Sequence, residues 1–425
     1  MLYTTGENGT MAVEEREAPN HQAGSQADPA HIHKYGANRR PLVIVTILLL
    51  VFVVLFLVIL LIFIFTHSPT HDCVPLRAGV TLTKSSFGET KDGKKVDKFT
   101  FSNENGMSYS VITYGAIITE IKVPDKDGKI EDVCLGYDDQ KGYDANVPYF
   151  GAIIGRVVNR IANGRFELDG VNYTVPINNE GNSLHGGIKA FDKRIWESSQ
   201  QGNKLILKLF SPDGDEGYPG DLTVYVTYEL TNQNELIINM NATTTKATPI
   251  NMANHAYFNL AGQASGAVYD HIAMVKGPKY LPADKELKPT GEIKSVVGTP
   301  FDLLKPTRLG DVLSKLPVVG DGFDTNFCLE GTTGRRFTAR VVEPKSGRVL
   351  EVWTNQPAVQ LYTGNFLQGT VGKGGVTYQK HGAFCLETQN YPDAINHKDT
   401  FPDSVLRPRS TYEHHVNYKF SIDKS

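Results

Sequence analysis

The chain has 425 residues, with 43 Lys and Arg against 46 Asp and Glu, and a formal net charge of −3. This balance leaves no basic surface of the kind that nucleic-acid binding needs, so we expect no nucleic-acid partner. Forty Gly and 22 Pro favour a turn-rich β architecture, because strand-like segments run between them.

The N-terminal part of the chain differs from the rest in composition. Residues 1–41 are polar and rich in Ala, Glu, Gly and His, which predicts a disordered tail. Residues 42–65 are apolar except for Thr46. As a helix they would span about 36 Å, which is enough to cross a hydrocarbon core of ~30 Å. We therefore expect a transmembrane helix over 42–65. A cleaved signal peptide is disfavoured, because the apolar run is too long and a long polar segment precedes it.

The charges beside this segment predict its orientation, because excess Lys and Arg stay on the cytoplasmic side of a membrane. Three basic residues lie close on its N-terminal side, and residues 66–80 contain one: Lys34, Arg39 and Arg40 against Arg77. The sequence therefore predicts a single-pass membrane protein with a cytoplasmic N-terminus. The linker 66–79 and a domain over 80–425 would then lie in the lumen or outside the cell.

Asn172 and Asn241 each begin an Asn-X-Thr sequon in the part of the chain predicted to be lumenal or extracellular. Asn172 follows an Asp-Gly turn, and Asn241 closes a predicted strand. Both are candidate N-glycosylation sites. A third sequon at Asn8 lies on the cytoplasmic side of the predicted anchor.

Segments with alternating apolar residues recur through residues 80–425. The clearest are 204–210, 221–230 and 235–241, in which every second residue is apolar. This period is typical of half-buried β-strands. Asp-Gly dipeptides at 92, 127, 169 and 213 mark turns between such segments. Long amphipathic helix patterns do not occur in this sequence, so we expect an all-β sandwich over 80–425.

The four cysteines are Cys73, Cys134, Cys328 and Cys385. They form no CxxC pair, so a zinc site is unsupported and we expect no metal. Cys328 lies four residues after an aspartate and Cys385 two residues before a glutamate. If both segments are extended, each thiol shares a face with its neighbouring carboxylate. We expect Cys328 and Cys385 to be buried free thiols beneath a site.

Four short stretches, 182–187, 254–259, 322–327 and 386–393, each place one ionisable group among Asn, Gln and aromatic residues. The groups are two histidines, an aspartate and a glutamate: His185, His255, Asp324 and Glu387. This set suits general acid–base catalysis, and the residues around it suit the hydroxyls and the C–H face of a sugar. The chain has no GxGxxG after a strand, no P-loop and no HExxH, so we expect no cofactor.

Each of these residues alone has a structural explanation. His185 stands beside Gly-Gly and could be a turn residue, and His255 could be a core histidine. Asp324 could cap a turn. Glu387 follows an apolar run, so it closes a buried strand, where a carboxylate is costly unless it is paired or functional. It is the joint occurrence that favours a catalytic site.

Six segments occur in the order of a known family and cover residues 80–425 almost entirely, but not residues 1–79. They are Gly155–Gly164, Asn182–Gly187, Phe191–Lys193, Asn254–Asn259, Gly322–Phe327 and Cys385–Asn396. On these segments the chain resembles the aldose 1-epimerase (galactose mutarotase) family. The resemblance implies the large, twisted mutarotase β-sandwich with a sugar cleft on one face.

The resemblance also implies a role for each site residue. Glu387 corresponds to the general base, His255 to the general acid, and His185 to a second histidine near the ring oxygen. Four further residues correspond to contacts with the sugar: Asn159, Arg160, Asp324 and Gln360. The implied reaction interconverts the α and β anomers of an aldohexose such as galactose or glucose.

The chemistry of ring opening is consistent with these residue types. A proton leaves the C1 hydroxyl while another reaches the ring oxygen, so a carboxylate and an imidazolium are suitable partners. Arg160 and His185 can stabilise charge that develops on oxygen. Neither oxidation nor a nucleotide is required.

Three other functions were weighed against this one. A glycosidase would use Asp324 and Glu387 as its two carboxylates, but it leaves two histidines and an arginine unexplained. A hexose-phosphate epimerase would need more Arg or Lys around the cleft. A membrane-tethered, non-catalytic sugar receptor would not need the whole acid–base set. We therefore expect an isomerase, with the preferred aldose and the oligomeric state left open.

Overall fold

The computed structural model describes residues 49–59, 79–145, 147–316, 321–331 and 334–424. Contacts divide the chain into two units, Met1–Asp72 and Cys73–Ser425.

The first unit is described only at residues 49–59, which are helical and have exposed side chains. The rest of the predicted transmembrane segment 42–65 lies outside the described residues, as do the tail 1–41 and residues 66–78 of the predicted linker. Within the described ranges, no helix is both long enough and apolar enough to cross a membrane. The anchor and its orientation therefore stay predictions.

The second unit begins with an antiparallel sheet of five strands in chain order. Its strands are β1 (Val80–Glu89), β2 (Lys95–Asn103), β3 (Ser108–Ile112), β4 (Ile117–Pro124) and β5 (Ile130–Asp132). The predicted Asp-Gly turn at 92 joins β1 to β2, and Gly93 adopts a φ of 75°, which glycine tolerates without strain.

The largest sheet has nine strands in an order that brings the C-terminus to its centre. From edge to edge they are β11 (Glu197–Gln201), β12 (Lys204–Ser211), β13 (Leu222–Leu230), β14 (Glu235–Thr244), β29 (Tyr412–Ile422), β23 (Arg348–Thr354), β22 (Arg336–Val342), β17 (Ile272–Val275) and β20 (Thr307–Arg308). The three alternating segments of the sequence are β12, β13 and β14, so the prediction of half-buried strands is confirmed.

A third sheet of five strands carries much of the candidate site. Its order is β19 (Lys294–Ser295), β18 (Lys279–Leu281), β21 (Asp324–Cys328), β24 (Ala358–Tyr362) and β27 (Cys385–Gln389). The face of this sheet that points away from the candidate site packs on the nine-stranded sheet. There Tyr418 of β29 donates its hydroxyl hydrogen to the Leu386 carbonyl at 3.2 Å. Thr388 Oγ1 likewise lies 2.8 Å from His414 Nε2.

Short two-stranded pairs and brief helices complete the described part. The pairs are β7 (Arg160–Ile161) with β10 (Ser183–Leu184), β6 (Ile153–Ile154) with β16 (Ala253–Asn254), β8 (Arg165–Leu168) with β9 (Val171–Thr174), β15 (Thr248–Pro249) with β28 (Val405–Leu406), and β25 (Thr370–Val371) with β26 (Thr377–Tyr378). In the described part of the second unit one α-helix, α1, spans Gln140–Asp144, and 3₁₀ turns span Ala162–Gly164, Phe191–Lys193, Asp215–Gly217, Leu309–Asp311, Leu313–Lys315, Lys373–Gly375 and Ala394–Asn396.

The main core lies between the first sheet and the nine-stranded sheet. Phe101 and Tyr109 of the first sheet stack with ring centroids 4.5 Å apart, and both belong to the same buried cluster as Val226 of the nine-stranded sheet. Tyr228 crosses the interface and donates its hydroxyl hydrogen to the Ala116 carbonyl at 2.7 Å. The predicted β-sandwich is therefore the observed fold of this unit.

Candidate active site

The third sheet places the predicted carboxylates on one face. Its register aligns Asn326 with Gln360 and Gln360 with Glu387 across three strands. The neighbouring row on the same face aligns Asp324, Tyr362 and Cys385. Because side chains alternate along a strand, Glu387 and Cys385 point the same way, as the sequence predicted.

His255 is held by backbone hydrogen bonds immediately after β16. Its N–H donates to the Ala152 carbonyl, and its own carbonyl accepts from the Gly151 N–H, both at 2.9 Å. The side chain of Asn254 donates to the Gly151 carbonyl at 3.0 Å. The local sheet with β6 therefore fixes the direction from which the imidazole enters the site.

His185 is held by a loop that follows β10. The His185 N–H donates to the Asn159 carbonyl at 3.0 Å, and the Asn159 N–H donates to His185 Nδ1 at 3.1 Å. Gly186 adopts a φ of 92°, and a Cβ there would lie 2.0 Å from the Gly155 carbonyl oxygen. His185 is thus a turn residue and a site residue at once. Since Nδ1 accepts, a neutral His185 carries its hydrogen on Nε2.

These elements surround a cavity of about 510 Å³. Six of the seven predicted site residues line it: Asn159, Arg160, His185, His255, Asp324 and Glu387. Gln360 is not among the lining residues. It stands on the neighbouring strand and donates from Nε2 to Asp324 Oδ1 at 2.6 Å. Its predicted contact with a sugar hydroxyl stays a prediction, and the observed contact orients the aspartate.

Glu387 and His255 form the centre of the cavity wall. Glu387 Oε2 lies 3.6 Å from His255 Nε2, and both side chains are buried. The imidazole rings of His185 and His255 meet edge to face, with centroids 5.3 Å apart. Arg160 Nε donates to Asn179 Oδ1 at 3.1 Å, which leaves the rest of its guanidinium available to the cavity.

Burial shifts the pKa values of these groups. It raises the pKa of Glu387 well above its ordinary value, with a further contribution from the Asp324 charge. Burial lowers the pKa of His255 to about 4. It also lowers the pKa of His185 far below its ordinary value, with nearby His255 adding to the effect. The pKa of Asp324 is raised by burial, although Arg160 opposes this.

The sequence predicts a carboxylate and an imidazolium as the reacting forms of these two residues. Burial instead favours a protonated Glu387 carboxyl and a neutral His255 imidazole. A carboxylate with an imidazolium and a carboxyl with a neutral imidazole hold the same number of protons, because Glu387 and His255 share one transferable proton. A proton shift between the two groups interconverts them.

Three tyrosines near the histidines were missed by sequence reasoning. Tyr149 packs edge-on to His185, with ring centroids 4.6 Å apart, and lies 6.2 Å from the His255 ring. Tyr257 stacks on His255 at 5.0 Å. Tyr257 belongs to the 254–259 segment, and Tyr362 follows Gln360 by one strand period, so both had a usable signal. Tyr149 had none, because it stands in an irregular loop.

The same neighbourhood contains the one cluster of candidate metal ligands among the described residues. His255, Cys385 and Glu387 each offer a ligand atom within 4.8 Å of the others. However, the closest approaches use opposite ring nitrogens: Glu387 faces Nε2 and Cys385 faces Nδ1. A tetrahedral zinc site needs ligand atoms about 3.3–3.8 Å apart around one point. The arrangement fits proton transfer better than metal binding.

Cys134, Cys328 and Cys385 are free and buried, as predicted for the last two. Cys73 lies outside the described residues.

Comparison with known proteins identifies the relatives of this chain. The family model for aldose 1-epimerases matches residues 97–419. The galactose mutarotase of Bos taurus is 49% identical over 345 residues, covering 81% of this chain and 99% of that protein. The human galactose mutarotase is 49% identical over 344 residues, covering 80% and 99%. The aldose 1-epimerase of Escherichia coli K12 is 36% identical over 338 residues, covering 77% and 96%.

Two solved structures share the fold. An aldose epimerase homologue from C. elegans superposes with a TM-score of 0.72 at 31% identity, covering 76% of this chain and 98% of that one. Galactose 1-epimerase from Lactobacillus acidophilus superposes with a TM-score of 0.69 at 28% identity, covering 81% and 99%. Together with the site geometry, these matches show that the chain belongs to the aldose 1-epimerase family.

Proposed function

We propose that this protein is an aldose 1-epimerase that interconverts the α and β anomers of a free aldohexose such as galactose or glucose. The observation that carries the proposal is the buried Glu387–His255 pair, whose Oε2 and Nε2 atoms lie 3.6 Å apart on the wall of a sugar-sized cavity. Relatives named galactose mutarotase at 49% identity support the choice of sugar.

In the proposed reaction Glu387 removes the proton from the C1 hydroxyl, and His255 Nε2 delivers a proton to the ring oxygen. The C1–O5 bond breaks, and the open-chain aldehyde forms. Rotation about C1–C2 presents the other face of the aldehyde. Closure then reverses both transfers: O5 attacks C1, His255 recovers its proton, and Glu387 returns a proton to O1. General acid–base catalysis of this kind contributes about 10²–10⁴-fold to a rate.

The remaining site residues have proposed roles that follow from their contacts. Because Asn159 donates to His185 Nδ1, His185 keeps its hydrogen on Nε2 and serves as a donor near the ring oxygen. Arg160, held by Asn179, adds positive charge where oxygen becomes negative. Asp324, oriented by Gln360, accepts hydrogen bonds from sugar hydroxyls.

The charges of the cavity argue against a hexose-phosphate substrate. Among the described lining residues, Arg160 is the one Lys or Arg, whereas Glu180, Asp324 and Glu387 are acidic. A phosphate group needs paired cations or a cluster of backbone N–H groups. A glycosidase and a non-catalytic receptor leave the His185–His255 pair without a role.

Polarimetry tests the proposal directly. Freshly dissolved α-galactose and α-glucose are mixed with the full-length chain in detergent and, separately, with a fragment of residues 80–425. We expect both preparations to speed the approach to the equilibrium rotation, and a Glu387→Gln preparation to lack the effect. Release of new reducing ends from a glycoside, or sugar binding without any change in rotation rate, would replace the proposal by a glycosidase or a receptor.

We also propose that residues 42–65 anchor the protein in a membrane, with residues 66–425 on the non-cytoplasmic side. The apolar run and the basic residues before it support this.

Protease added to sealed microsomes should remove only the N-terminal tail. Endoglycosidase should then shift the protected fragment if Asn172 or Asn241 carries a glycan. Asn172 is exposed on β9, whereas Asn241 is half-buried in the nine-stranded sheet, so Asn172 is the better acceptor. Digestion of the catalytic domain in intact vesicles would reverse the orientation.

A further inference from the structure

The two nitrogens of His255 face different partners. Nε2 lies 3.6 Å from Glu387 Oε2, and Nδ1 lies 3.6 Å from Cys385 Sγ. Cys385 and Glu387 are two residues apart on β27 and point to the same side. The three side chains are 5%, 0% and 3% exposed for His255, Cys385 and Glu387. Neighbouring groups of one strand therefore contact the two edges of the imidazole.

The proposed reaction restricts where the hydrogens of His255 can be. Nε2 must alternately hold and release a proton, because it faces the cavity. If a neutral His255 kept its single hydrogen on Nε2, releasing it would leave an imidazolate, which is far too basic to form at neutral pH. Nδ1 must therefore keep its hydrogen throughout the cycle. A hydrogen held on a buried Nδ1 needs an acceptor.

Two atoms are available to accept it. One is the carbonyl oxygen of His255 itself, which already accepts from the Gly151 N–H at 2.9 Å. The other is Cys385 Sγ, which lies within hydrogen-bonding distance for sulfur. We propose that Cys385 is a positioning residue that accepts the Nδ1 hydrogen of His255 and so presents the Nε2 lone pair to Glu387 and the substrate. This inference rests on the proposed function and extends it to a residue behind the cavity wall.

The chemical nature of a thiol makes this position useful. A carboxylate at Nδ1 would form a charge-assisted hydrogen bond with the imidazolium and make it a weaker acid. Thiol sulfur is a weak, neutral acceptor. Burial raises the pKa of the Cys385 thiol well above its ordinary value, so it stays uncharged. Cys385 therefore orients His255 without reducing its ability to protonate the ring oxygen.

Apart from its own carbonyl oxygen, the other described groups around His255 offer no acceptor to Nδ1. Glu387 contacts the opposite nitrogen, and the remaining neighbours present ring faces or edges: His185, Tyr149, Tyr257 and Tyr362. Asp324 and Arg160 line the same cavity, where they add one charge of each sign. Since the pKa of His255 is about 4, its neutral form predominates at pH 7, and its tautomer is then a measurable property.

Substitution of Cys385 in the full-length chain tests the role through the pH profile. Cys385→Ala removes the sulfur acceptor of the Nδ1 hydrogen, so the inactive Nε2–H tautomer of His255 gains population. We therefore expect kcat to fall about 3- to 10-fold, with KM changing less. The acidic limb of the profile, near pH 4 in the wild type, should move to lower pH because the imidazolium loses a partner. Cys385→Ser supplies a stronger acceptor, so kcat should recover and the limb should move to higher pH.

Cys134→Ala is the matched control, because Cys134 is also 0% exposed but its thiol contacts the Leu135 carbonyl. It makes the same cavity without touching a histidine, and its pH profile should match the wild type. If Cys385→Ala and Cys385→Ser change kcat equally, with no opposite displacement of the acidic limb, Cys385 only fills space and the proposal is overturned.

The tautomer can be read without any activity assay. Wild-type protein labelled with ¹⁵N-histidine should show His255 as the Nδ1–H tautomer at pH 7 in long-range ¹H–¹⁵N spectra. An Nε2–H tautomer in protein that still mutarotates would overturn the role of Cys385 and leave the proposed function intact. Failure of the wild type to mutarotate would instead remove the proposed function. If the Cys385 variants do not fold, an Nε2–H tautomer in the wild type still overturns the proposal.

Discussion

Strands β14 and β27 differ in how polarity relates to burial. In β14 the apolar Leu236, Ile238 and Met240 are 0% exposed, and the residues between them are partly accessible to solvent. In β27 every residue is buried, and two of them are Glu387 and Gln389. Placing such groups away from water is costly. The first strand is organised for folding, and the second accepts a loss of stability for the sake of a site.

On the polar face of the third sheet, the sheet that contains β27, some buried side chains also lack hydrogen-bond partners. Both side-chain atoms of Asn326 and both of Gln389 lack a protein partner among the described residues, although they are buried. Buried amides normally find partners, either in the protein or in ordered water. Substitutions in the two regions should therefore affect different observables.

The largest effect on activity is expected for Glu387→Gln. The amide keeps the shape but cannot accept the O1 proton, so the mutarotation rate measured by polarimetry should fall at least ~100-fold. Sugar should still bind, which isothermal titration can establish. A rate near the wild-type value would exclude Glu387 as the base.

The same variant should be more stable than the wild type at pH 7. A carboxyl group whose pKa is raised by folding loses stability as pH rises above its unfolded value, because the unfolded chain then releases a proton that the folded one retains. The amide does not titrate, so Tm at pH 7 should rise. An equal Tm at pH 4 is the internal control.

The two histidines should separate turnover from binding. His255→Asn removes the proton carrier and should lower kcat about 100-fold with little change in KM. His185→Asn removes a donor near the ring oxygen and should affect both kcat and KM, with a smaller loss of kcat. The assigned roles would be wrong if His185→Asn left kcat and KM unchanged while His255→Asn weakened sugar binding alone.

The pH dependence of activity should reflect the same pKa shifts. The Glu387–His255 pair can react only while it carries one proton. The lower pH limit of activity is therefore set by the pKa of His255, about 4, below which the pair carries two protons. The upper limit is the raised pKa of Glu387. The kcat/KM profile should therefore rise through pH 4, and its basic limb should follow the raised pKa of Glu387. Ordinary pKa values of Glu and His would instead confine activity between about pH 4.3 and 6.5. A basic limb of kcat/KM at the ordinary histidine value would therefore show that burial does not shift these pKa values in solution.

The smallest effect on turnover is expected in the nine-stranded sheet. Leu236→Ala deletes a fully buried side chain of β14, which should cost about 2–5 kcal/mol of unfolding free energy. The urea midpoint should fall while kcat of the folded enzyme stays unchanged. A matching loss of kcat would mean that the two sheets are mechanically coupled.

Sequence predicted the strands whose two faces differ in polarity. β12, β13 and β14 begin or end within a few residues of the alternating segments, because a half-exposed strand must alternate. It also placed Glu387 in a buried strand, since an apolar run precedes it. The protonation of Glu387 could not be predicted, because it depends on burial in the folded chain and, to a lesser extent, on the nearby Asp324 charge.

Two other features depended on three-dimensional neighbours. Gln360 reaches Asp324 because of the register between β21 and β24, which alternation alone does not specify. Tyr149 reaches both histidines from an irregular loop with a φ of 62°, where no periodic pattern exists. The chemistry of the site was therefore predictable from residue types, whereas its arrangement required the fold.

The depth at which Glu387 and His255 are buried has a consequence for exchange with solvent. In the proposed cycle one proton returns to O1 and the other returns to His255 Nε2, so no proton has to enter or leave through bulk water during turnover. Catalysis should then be insensitive to buffer concentration, and hydrogens on the reacting oxygens should survive many anomeric interconversions while the sugar stays bound. Burial of the Glu387–His255 pair is compatible with this reaction because ring opening and ring closure exchange the same two protons.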